Sequence, residues 1–454
     1  MTLLSINPAT GKQIGQTAAW SDQQALAALR QTDAVQAQWA SQSVSERAQL
    51  IQALANQLRA QKANLSRLIS KEMGKLLREA EAEVEKCALS CDYYAERADE
   101  LLADEAIASD ASYSFLALQP LGTVLAVMPW NFPLWQVMRC AIPALLVGNA
   151  VLLKHASNVQ LLAAAAQDLF TGAGFPDAVF QNFPIASSSV ATLLADSRVH
   201  AASVTGSEQA GRAVAAHAGA NLKKCVLELG GSDPFVVLPD ADLEAAVAVA
   251  LQSRFINCGQ SCIAAKRFIV TGDNGNDFVD ALQAEIERLQ AGDPLLAETT
   301  LAPMARQDLR EQLHQQVQQS VAQGASLLCG GHFVEGDGFY YQAGLLDRVT
   351  PSMAAYEEEL FGPVACVIRV KDEAEALSVA NDSRFGLGAS VWSEDLERGE
   401  SFARQVQSGA VFVNGLVKSD PRLPFGGIKA SGYGRELSLL GLKEFCNIKT
   451  MWIR

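Results

Sequence analysis

The sequence lacks the features that mark nucleic-acid-binding, membrane-spanning and disulfide-rich proteins. Its 454 residues include 36 Lys and Arg against 50 Asp and Glu, with no long basic run, so no nucleic-acid partner is expected. The apolar runs are too short or too interrupted to span a bilayer, so no membrane partner is expected either. The nine cysteines are scattered without a Cys-x-x-Cys pair, as is typical of free thiols in a reducing compartment. With no leader-like start to the chain, we expect a cytoplasmic protein.

Two common catalytic arrangements are also missing. The five histidines form no metal-binding pair, and the chain contains no Gly-x-Ser-x-Gly sequence, so neither a metal site nor a serine triad is expected. What is present is the composition of an ordinary globular enzyme, with 49% hydrophobic and 19% charged residues. The length allows two or three domains.

The arrangement of strand-like and helix-like segments predicts the fold class. A largely helical N-terminal third is followed by short strand patterns that alternate with helical ones, among them Thr123–Met128, Ala150–Lys154, Ala201–Thr205 and Cys225–Leu229. The same alternation recurs in the second half of the chain. Such βα repeats indicate parallel, doubly wound sheets, and we therefore predict two α/β domains that join just after the fourth of these strands.

A candidate nucleophile lies at the end of the stretch Asn257-Cys258-Gly259-Gln260-Ser261-Cys262. The stretch follows a helical pattern, and Gly259 permits a turn just before Cys262. A cysteine on a turn with small neighbours can be approached by a substrate, although a cysteine that only packs would fit the same pattern. The choice depends on the rest of the chain.

Several polar residues follow predicted strands, where the ligand of a doubly wound sheet binds. Lys154 and Ser157 could hold a ribose, and Ser207 begins a helix whose backbone N–H groups favour phosphate. Glu228, ending an apolar strand, would become a general base if it is desolvated in a cleft. Asn131, fixed between Pro129 and Pro133, could donate to an oxyanion. Each residue also fits a plain cap, turn or solvated side chain.

Taken together, these segments resemble the aldehyde dehydrogenase superfamily over essentially the whole chain. The matching motifs occur in the family's order: Pro-Trp-Asn-Phe-Pro (129–133), Leu-Lys (153–154), Thr-Gly-Ser (205–207), Glu-Leu-Gly-Gly (228–231), Asn-x-Gly-Gln-x-Cys (257–262), Glu-Glu-Leu-Phe-Gly-Pro (358–363) and Pro-Phe-Gly-Gly-x-Lys-x-Ser-Gly (424–432).

The resemblance implies two doubly wound open-sheet domains, a Rossmann-like cofactor domain and a catalytic domain, plus a small β element for oligomerisation. We expect the cofactor domain at 1–110 and 121–228, the catalytic domain at 229–422, and the oligomerisation strands at 111–120 and 440–454. The family's assembly suggests a homodimer or a homotetramer.

The resemblance also implies the catalytic roles. Cys262 matches the nucleophile, Glu228 the general base and Asn131 the oxyanion donor. The Cys262 thiolate would add to an aldehyde, hydride would leave for a nicotinamide, and Glu228 would activate the water that hydrolyses the thioester.

NAD and NADP are both expected as cofactors. The residues expected to contact the cofactor are Trp130, Lys154, Ser157, Gly206, Ser207, Gly211, Glu359 and Phe361. Family members selective for NAD often carry a glutamate where Ser157 stands, and a serine there tolerates the 2′-phosphate of NADP.

The substrate is expected to be an aldehyde with a distal carboxylate, most simply succinate semialdehyde. Arg139 and Ser419 match carboxylate-binding residues of succinate-semialdehyde dehydrogenases, but Ile256 occupies the place of a second arginine. Arg422 or Lys418 could supply that charge. Alternatively, Arg139 is structural and the enzyme acts on neutral aldehydes, or the protein is a catalytically silent member of the family.

Overall fold

The computed structural model describes residues 1–272 and 274–454, and its strands form two large sheets and two small ones. In chain order the strands are β1 (Thr2–Asn7), β2 (Lys12–Ala18), β3 (Glu105–Ala106), β4 (Tyr113–Pro120), β5 (Thr123–Met128), β6 (Ala150–His155), β7 (Phe180–Asn182), β8 (Ala201–Thr205), β9 (Lys224–Glu228), β10 (Asp233–Val237), β11 (Ala265–Thr271), β12 (Ser326–Cys329), β13 (Gly344–Asp347), β14 (Val364–Val370), β15 (Gly388–Trp392), β16 (Ala410–Val413), β17 (Gly432–Tyr433) and β18 (Cys446–Ile453).

The helices cover these sheets and fill the N-terminal quarter of the chain. They are α1 (Asp22–Ser41), α2 (Val44–Ala60), α3 (Lys62–Met73), α4 (Leu77–Glu96), α5 (Ala98–Leu101), α6 (Trp135–Val147), α7 (Gln160–Gly172), α8 (Ser189–Ala195), α9 (Glu208–Ala220), α10 (Leu243–Phe255), α11 (Asn274–Glu287), α12 (Gln307–Ala322), α13 (Ala354–Glu357), α14 (Glu373–Asn381), α15 (Leu396–Ala403) and α16 (Ser438–Glu444).

The first large sheet has the strand order β17-β9-β8-β5-β6-β7, and every pairing except β17 with β9 is parallel. The chain leaves the central strand β5 in one direction through β6 and β7, then returns to its other side at β8 and β9. This reversal opens a crevice beyond the carboxyl ends of β5 and β8, which is where ligands bind in such sheets.

The second large sheet has the order β12-β13-β14-β11-β10-β15-β16, with β12 alone antiparallel. Strands β10 and β11 lie centrally, and α10, which joins them, leads directly into the stretch that ends at Cys262. In both sheets, helices connect the central strands to the strands on either side. The predicted class, two doubly wound α/β sheets with a small β element, is confirmed.

Two small antiparallel sheets complete the fold. Strand β18 pairs along its length with β4, which also pairs with β3, so the predicted C-terminal edge strand is present. The N-terminal hairpin of β1 and β2 was not expected from the sequence, nor were β7, β12 and β13. Four of these five strands have six residues or fewer, and β2 is mostly exposed, so their sequences are too short or too polar for a strand pattern to be recognised.

Helix packing places two helices beside Cys262. Every residue of α6 is buried, and this helix packs between the first sheet and α4. The buried face of α4, which includes Ala80, Val84 and Cys87, continues the same core. Within residues 1–272 and 274–454, no helix combines the length and apolar character that crossing a bilayer requires.

Candidate active site

The loop before Cys262 has an uncommon backbone. Helix α10 ends at Phe255, and a short 3₁₀ turn follows in which Asn257, Cys258 and Gly259 all have positive φ, of 54°, 55° and 71°. A Cβ atom at Gly259 would lie 2.3 Å from the carbonyl oxygen of Gly362, so only glycine fits. Such strain persists only where surrounding contacts hold it, and it is typical of functional sites.

Two buried cations hold this loop in place. The Arg254 guanidinium donates to the carbonyl oxygens of Ala265 at 3.1 Å and Leu360 at 2.9 Å, and it also bonds the Gly362 carbonyl. The Lys266 ammonium donates to the carbonyl of Cys262 at 2.8 Å. Since both side chains are almost wholly inaccessible to solvent, these bonds fix the backbone at the cysteine.

Asn131 connects the first sheet to the same loop. Its side-chain Nδ2 donates to the Gln260 carbonyl at 3.1 Å, while Asn257 Nδ2 donates to the Asn131 carbonyl at 2.7 Å. The amide of Asn131 is buried and keeps a second N–H that these bonds do not use. The structure therefore brings the predicted oxyanion donor and the predicted nucleophile together.

Two cavities meet at Cys262. One, of about 600 Å³, lies between α4, α6 and α10, and the other, of about 860 Å³, lies over the carboxyl ends of the first sheet. Among the described residues, Cys262 is the side chain that lines both. The cysteine is partly exposed, whereas Cys258 on the same loop is buried. A reagent in one cavity and a second in the other would reach Cys262 from two sides.

The larger cavity gathers most of the residues expected to contact a cofactor. It is lined by Trp130, Lys154, Ser157, Gly206, Ser207, Glu359 and Phe361, together with neighbouring side chains. Gly211 is not on its wall, because it faces Leu229, whose methyl groups would lie 2.5 Å and 2.7 Å from an added Cβ. That glycine lets α9 pack closely on the sheet.

The donors in this cavity fit a dinucleotide. Ser207 caps the 13-residue helix α9, its hydroxyl accepting the Ala210 backbone N–H at 3.3 Å, so the helix N-terminus faces the cavity. Lys154 is buried at the end of β6, and burial lowers the pKa of its ammonium group. Phe361 and Trp130 form an edge-to-face pair with ring centres 5.8 Å apart. The helix end can bind a phosphate, the lysine can bind a ribose, and the aromatic rings can pack against a flat ring.

Glu359 lies against the inner wall of the larger cavity. Its carboxylate accepts the Gly231 backbone N–H at 3.1 Å and lies 3.3 Å from the Lys266 ammonium. A side chain at Gly230 would come within 2.4 Å of a Glu359 oxygen, so the glycine is needed for this close approach. Glu359 and Cys262 are thus joined through one lysine.

The surroundings of Cys262 favour the thiol over the thiolate. Burial raises its pKa to about 12, although the positive charges of Arg139 and Lys266 act in the opposite direction. A nucleophilic role therefore requires a group that removes the proton or further positive charge close to the sulfur.

Glu228 is buried at the end of β9 and lines neither cavity. Burial raises the pKa of its carboxyl group, Arg139 opposes that shift, and Glu436 adds to it. One oxygen would lie 2.7 Å from a Cβ at Gly426, and within the described part of the chain neither oxygen has a hydrogen-bond partner. Once ionised, a carboxyl group with a raised pKa is a stronger base than an exposed glutamate.

The residues expected to bind the substrate are only partly brought together. Arg139 and Ser419 line the smaller cavity, as does Lys418. The Arg139 guanidinium, however, forms a buried ion pair with Glu436 and donates to the Thr205 hydroxyl at 3.2 Å. Arg422 is exposed, pairs with Asp420 at 2.6 Å and is not on the cavity wall.

Sequence reasoning did not find Lys86, Glu436, Arg254 or Lys266. Lys86 belongs to a helix of alternating charges that is typical of a solvated face, so its sequence gives no sign of a cavity position. Lys266 follows the nucleophile by four residues, and that short spacing was the only available signal. The partners of Glu436 and Arg254 lie far away in the sequence.

A comparison with known proteins identifies the family. The family model described as the aldehyde dehydrogenase family matches residues 1–451. The chain belongs to the aldehyde dehydrogenase family. This result confirms the resemblance drawn from the motifs.

Curated relatives of this aldehyde dehydrogenase match over its full length. A probable succinate-semialdehyde dehydrogenase (NADP(+)) of Synechocystis sp. is 47% identical over 453 residues, covering 100% of both chains. The succinate semialdehyde dehydrogenase (NAD(P)+) Sad of Escherichia coli strain K12 is 46% identical, covering 99% of this chain and 97% of its own.

Solved structures agree with the fold of this aldehyde dehydrogenase. The succinic semialdehyde dehydrogenase of Streptococcus pyogenes, in complex with NADP+, superposes with a TM-score of 0.97 at 37% identity, with 99% of each chain covered. A structure of Gox0499, described as giving insights into its cofactor and substrate selection, superposes with a TM-score of 0.99 at 40% identity, with both chains fully covered.

Proposed function

We propose that this chain oxidises succinate semialdehyde to succinate, using NAD or NADP. The observation that supports the proposal most directly is the meeting of two cavities at Cys262, because the reaction needs an aldehyde and an oxidant on opposite sides of one carbon. The names of the relatives in Synechocystis sp. and Escherichia coli support the choice of substrate.

Cys262, Asn131 and the buried cations carry the first half of the reaction. The Cys262 thiol gives up its proton to water that enters the cavity, and its sulfur forms a bond to the aldehyde carbon as the electron pair of the C=O π bond moves to the oxygen, which becomes an alkoxide. The unused N–H of Asn131 and the Cys262 backbone N–H donate to that oxygen. A bound nicotinamide dinucleotide supplies the oxidising power, taking up two electrons and a proton. The C=O bond then re-forms, and a thioester to Cys262 remains.

Glu228 carries the second half of the reaction. Its carboxylate removes a proton from water, the resulting hydroxide adds to the thioester carbon, and the Cys262 thiolate leaves as succinate forms. Because Glu228 lines neither cavity, its side chain has to rotate from its place against Gly426 toward Cys262 for this step. Between turnovers Glu228 stays in this buried position, where desolvation raises the pKa of its carboxyl group.

The larger cavity is the proposed cofactor site. Lys154 and Ser157 would hold the adenosine ribose, the Gly206–Ser207 turn the phosphates, and Glu359 with Phe361 the nicotinamide ribose. Trp130 lies beside Phe361, and Gly211 contributes by letting α9 approach the sheet. Both cofactors are proposed because Ser157 at this wall carries no charge to repel a 2′-phosphate, and relatives are named for NADP(+) and for NAD(P)+.

The smaller cavity is the proposed aldehyde site. Arg139 and Ser419 on its wall support a substrate with a distal carboxylate, although the pairing of Arg139 with Glu436 leaves its charge largely compensated. Arg422 lies too far out to contribute directly in this structure.

The proposed domain boundaries follow the sheets. Residues 1–110 and 121–228 would form the cofactor domain and 229–422 the catalytic domain, while 111–120 and 440–454 would form the assembly strands. Large apolar side chains on β4 and β18, including Tyr113, Ile448 and Trp452, are about half exposed. Covering such a surface supports a homodimer or homotetramer. We place the enzyme in the cytoplasm because its nine cysteines are all free thiols.

A panel of aldehydes and cofactors tests the proposal. The specificity constant kcat/KM is measured for succinate semialdehyde and for butanal, each with NAD and with NADP, by formation of the reduced cofactor. We expect succinate semialdehyde to be favoured at least about 100-fold over butanal. Equal constants for the two aldehydes would contradict the substrate, and a preference for NAD above about 1,000-fold would contradict use of both cofactors.

A further inference from the structure

The smaller cavity is lined by several cationic side chains, and most of them already have their charge compensated or hydrated. Four fall in this class: Lys75, paired with Glu83; Arg139, paired with Glu436; and Arg78 and Lys418, which are exposed. A cation that is paired or well hydrated gains little by binding a further carboxylate.

Lys86 differs from these four. It projects from α4 into the cavity and is partly buried. Its ammonium donates to the Ser419 hydroxyl at 2.7 Å and lies 4.4 Å from the centre of the Trp135 ring. Within residues 1–272 and 274–454, no acidic side chain forms an ion pair with it. Burial accordingly lowers the pKa of Lys86 to about 8.

The acidic side chains nearest to Lys86 are held elsewhere. Glu83 is ion-paired with Lys75 and accepts the backbone N–H groups of Leu134 and Trp135, both at 2.9 Å.

Asp420 is held in the same way by a different partner. It accepts two bonds from the Arg422 guanidinium, at 2.8 Å and 2.6 Å. Because Glu83 and Asp420 are each paired with another cation, neither forms an ion pair with Lys86. Among the described residues, the ammonium therefore faces the cavity with a hydroxyl and an aromatic ring and without an ion-paired carboxylate.

An ammonium group that is partly removed from water without an anion is costly, and an anionic ligand removes that cost. Ser419 is suited to assist, because its hydroxyl can accept from Lys86 and donate its own proton to a ligand. The Trp135 ring fixes the ammonium from another side. These three groups form a site for one carboxylate in the cavity that ends at Cys262.

We propose that Lys86, with the Ser419 hydroxyl, binds the distal carboxylate of the aldehyde and so determines the preference for charged substrates. Arg139, neutralised by Glu436, is a positioning residue that shapes the wall between the cavity and Glu228. The inference rests on the proposed oxidation of succinate semialdehyde, and it assigns the charge that recognises that substrate.

The test replaces Lys86 with methionine, which keeps the length of the side chain and removes the charge. Steady-state constants are measured for succinate semialdehyde and butanal, along with inhibition of butanal oxidation by succinate. We expect kcat/KM for succinate semialdehyde to fall about 10- to 100-fold, mostly through KM, and succinate inhibition to weaken equally. For butanal, the loss should stay within about threefold.

The matched control is Lys71→Met, which replaces an exposed lysine on α3 outside both cavities. This variant should leave kcat/KM unchanged for both aldehydes. Equal losses for both aldehydes in Lys86→Met, with succinate inhibition unchanged, would show a merely structural role and overturn the inference. The inference is also overturned if the variant keeps the wild-type preference for succinate semialdehyde. A wild-type enzyme without that preference would instead contradict the proposed function.

Discussion

The two cavities that meet at Cys262 are built in different ways. The larger one is assembled at the carboxyl ends of β5, β6 and β8, with further walls from α12 and from the segment around Glu359 and Phe361. The smaller one is enclosed by side chains from α4, α6 and α10 and from the loop near Ser419, which are far apart in the sequence. Strand ends define where a ligand binds, whereas the helices determine which substrate fits. The contrast predicts that changes on one side leave the other side's selectivity intact.

Replacing Cys262, the residue that lines both cavities, should cause the largest loss of activity. Replacing Cys262 with alanine removes the sulfur that forms the covalent bond in the proposed mechanism, so we expect kcat/KM to fall on the order of 10⁴-fold or more for every aldehyde and both cofactors. Formation of the reduced cofactor measures the loss.

Binding supplies the control for this variant. Titration of Cys262→Ala with NADP, followed by tryptophan fluorescence, should give a Kd close to the wild-type value, because all other residues lining the larger cavity are unchanged. Substantial aldehyde oxidation by the alanine variant would show that Cys262 is not the nucleophile. The meeting of the two cavities at this residue would then play no part in the reaction.

Glu228 belongs to neither cavity, and its loss should affect only hydrolysis. Glu228→Gln keeps the shape of the side chain but cannot remove a proton from water. We expect one rapid turnover per subunit and then a steady rate about 100- to 10,000-fold lower. Stopped-flow measurement of the reduced cofactor separates the burst from the steady phase. If the burst disappears as well, Glu228 acts before the thioester forms.

The difference between the cavities also explains what the sequence could and could not predict. Lys154 lies near the end of a strand, and Asn131 and Ser207 follow strands. Local sequence together with the family motifs could therefore predict that these residues lie at the edge of the sheet, where the larger cavity is. The pairing of Arg139 with Glu436 joins residues almost 300 positions apart, and nothing local to either one indicates it. Lys86 was missed for the same reason. Its role depends on α4 packing against α6, which a single sequence does not specify.

A change confined to the larger cavity should alter cofactor choice alone. Ser157→Glu introduces a carboxylate near the proposed adenosine ribose, where it would repel a 2′-phosphate. We expect kcat/KM with NADP to fall about 10- to 100-fold relative to NAD. The ratio of kcat/KM for succinate semialdehyde to that for butanal should not change. A shift in that aldehyde ratio would show that the two cavities are coupled.

The smallest effect concerns the ionisation of Lys86. Burial lowers its pKa to about 8, with Arg139 lowering it further and Cys87, Glu83 and Asp420 acting in the opposite direction. The charged form is therefore lost as the pH rises through about 8, and with it the attraction for a carboxylate. Between pH 7 and pH 9, the ratio of kcat/KM for succinate semialdehyde to that for butanal should fall by up to about tenfold.

Taking this ratio removes the ionisation of Cys262, which affects both aldehydes alike. The ratio should be flat with pH in Lys86→Met, since methionine does not titrate. A wild-type ratio that is constant from pH 7 to pH 9 would mean that a permanently charged group binds the carboxylate. The guanidinium of Arg139 would then have to leave Glu436 when substrate enters the smaller cavity.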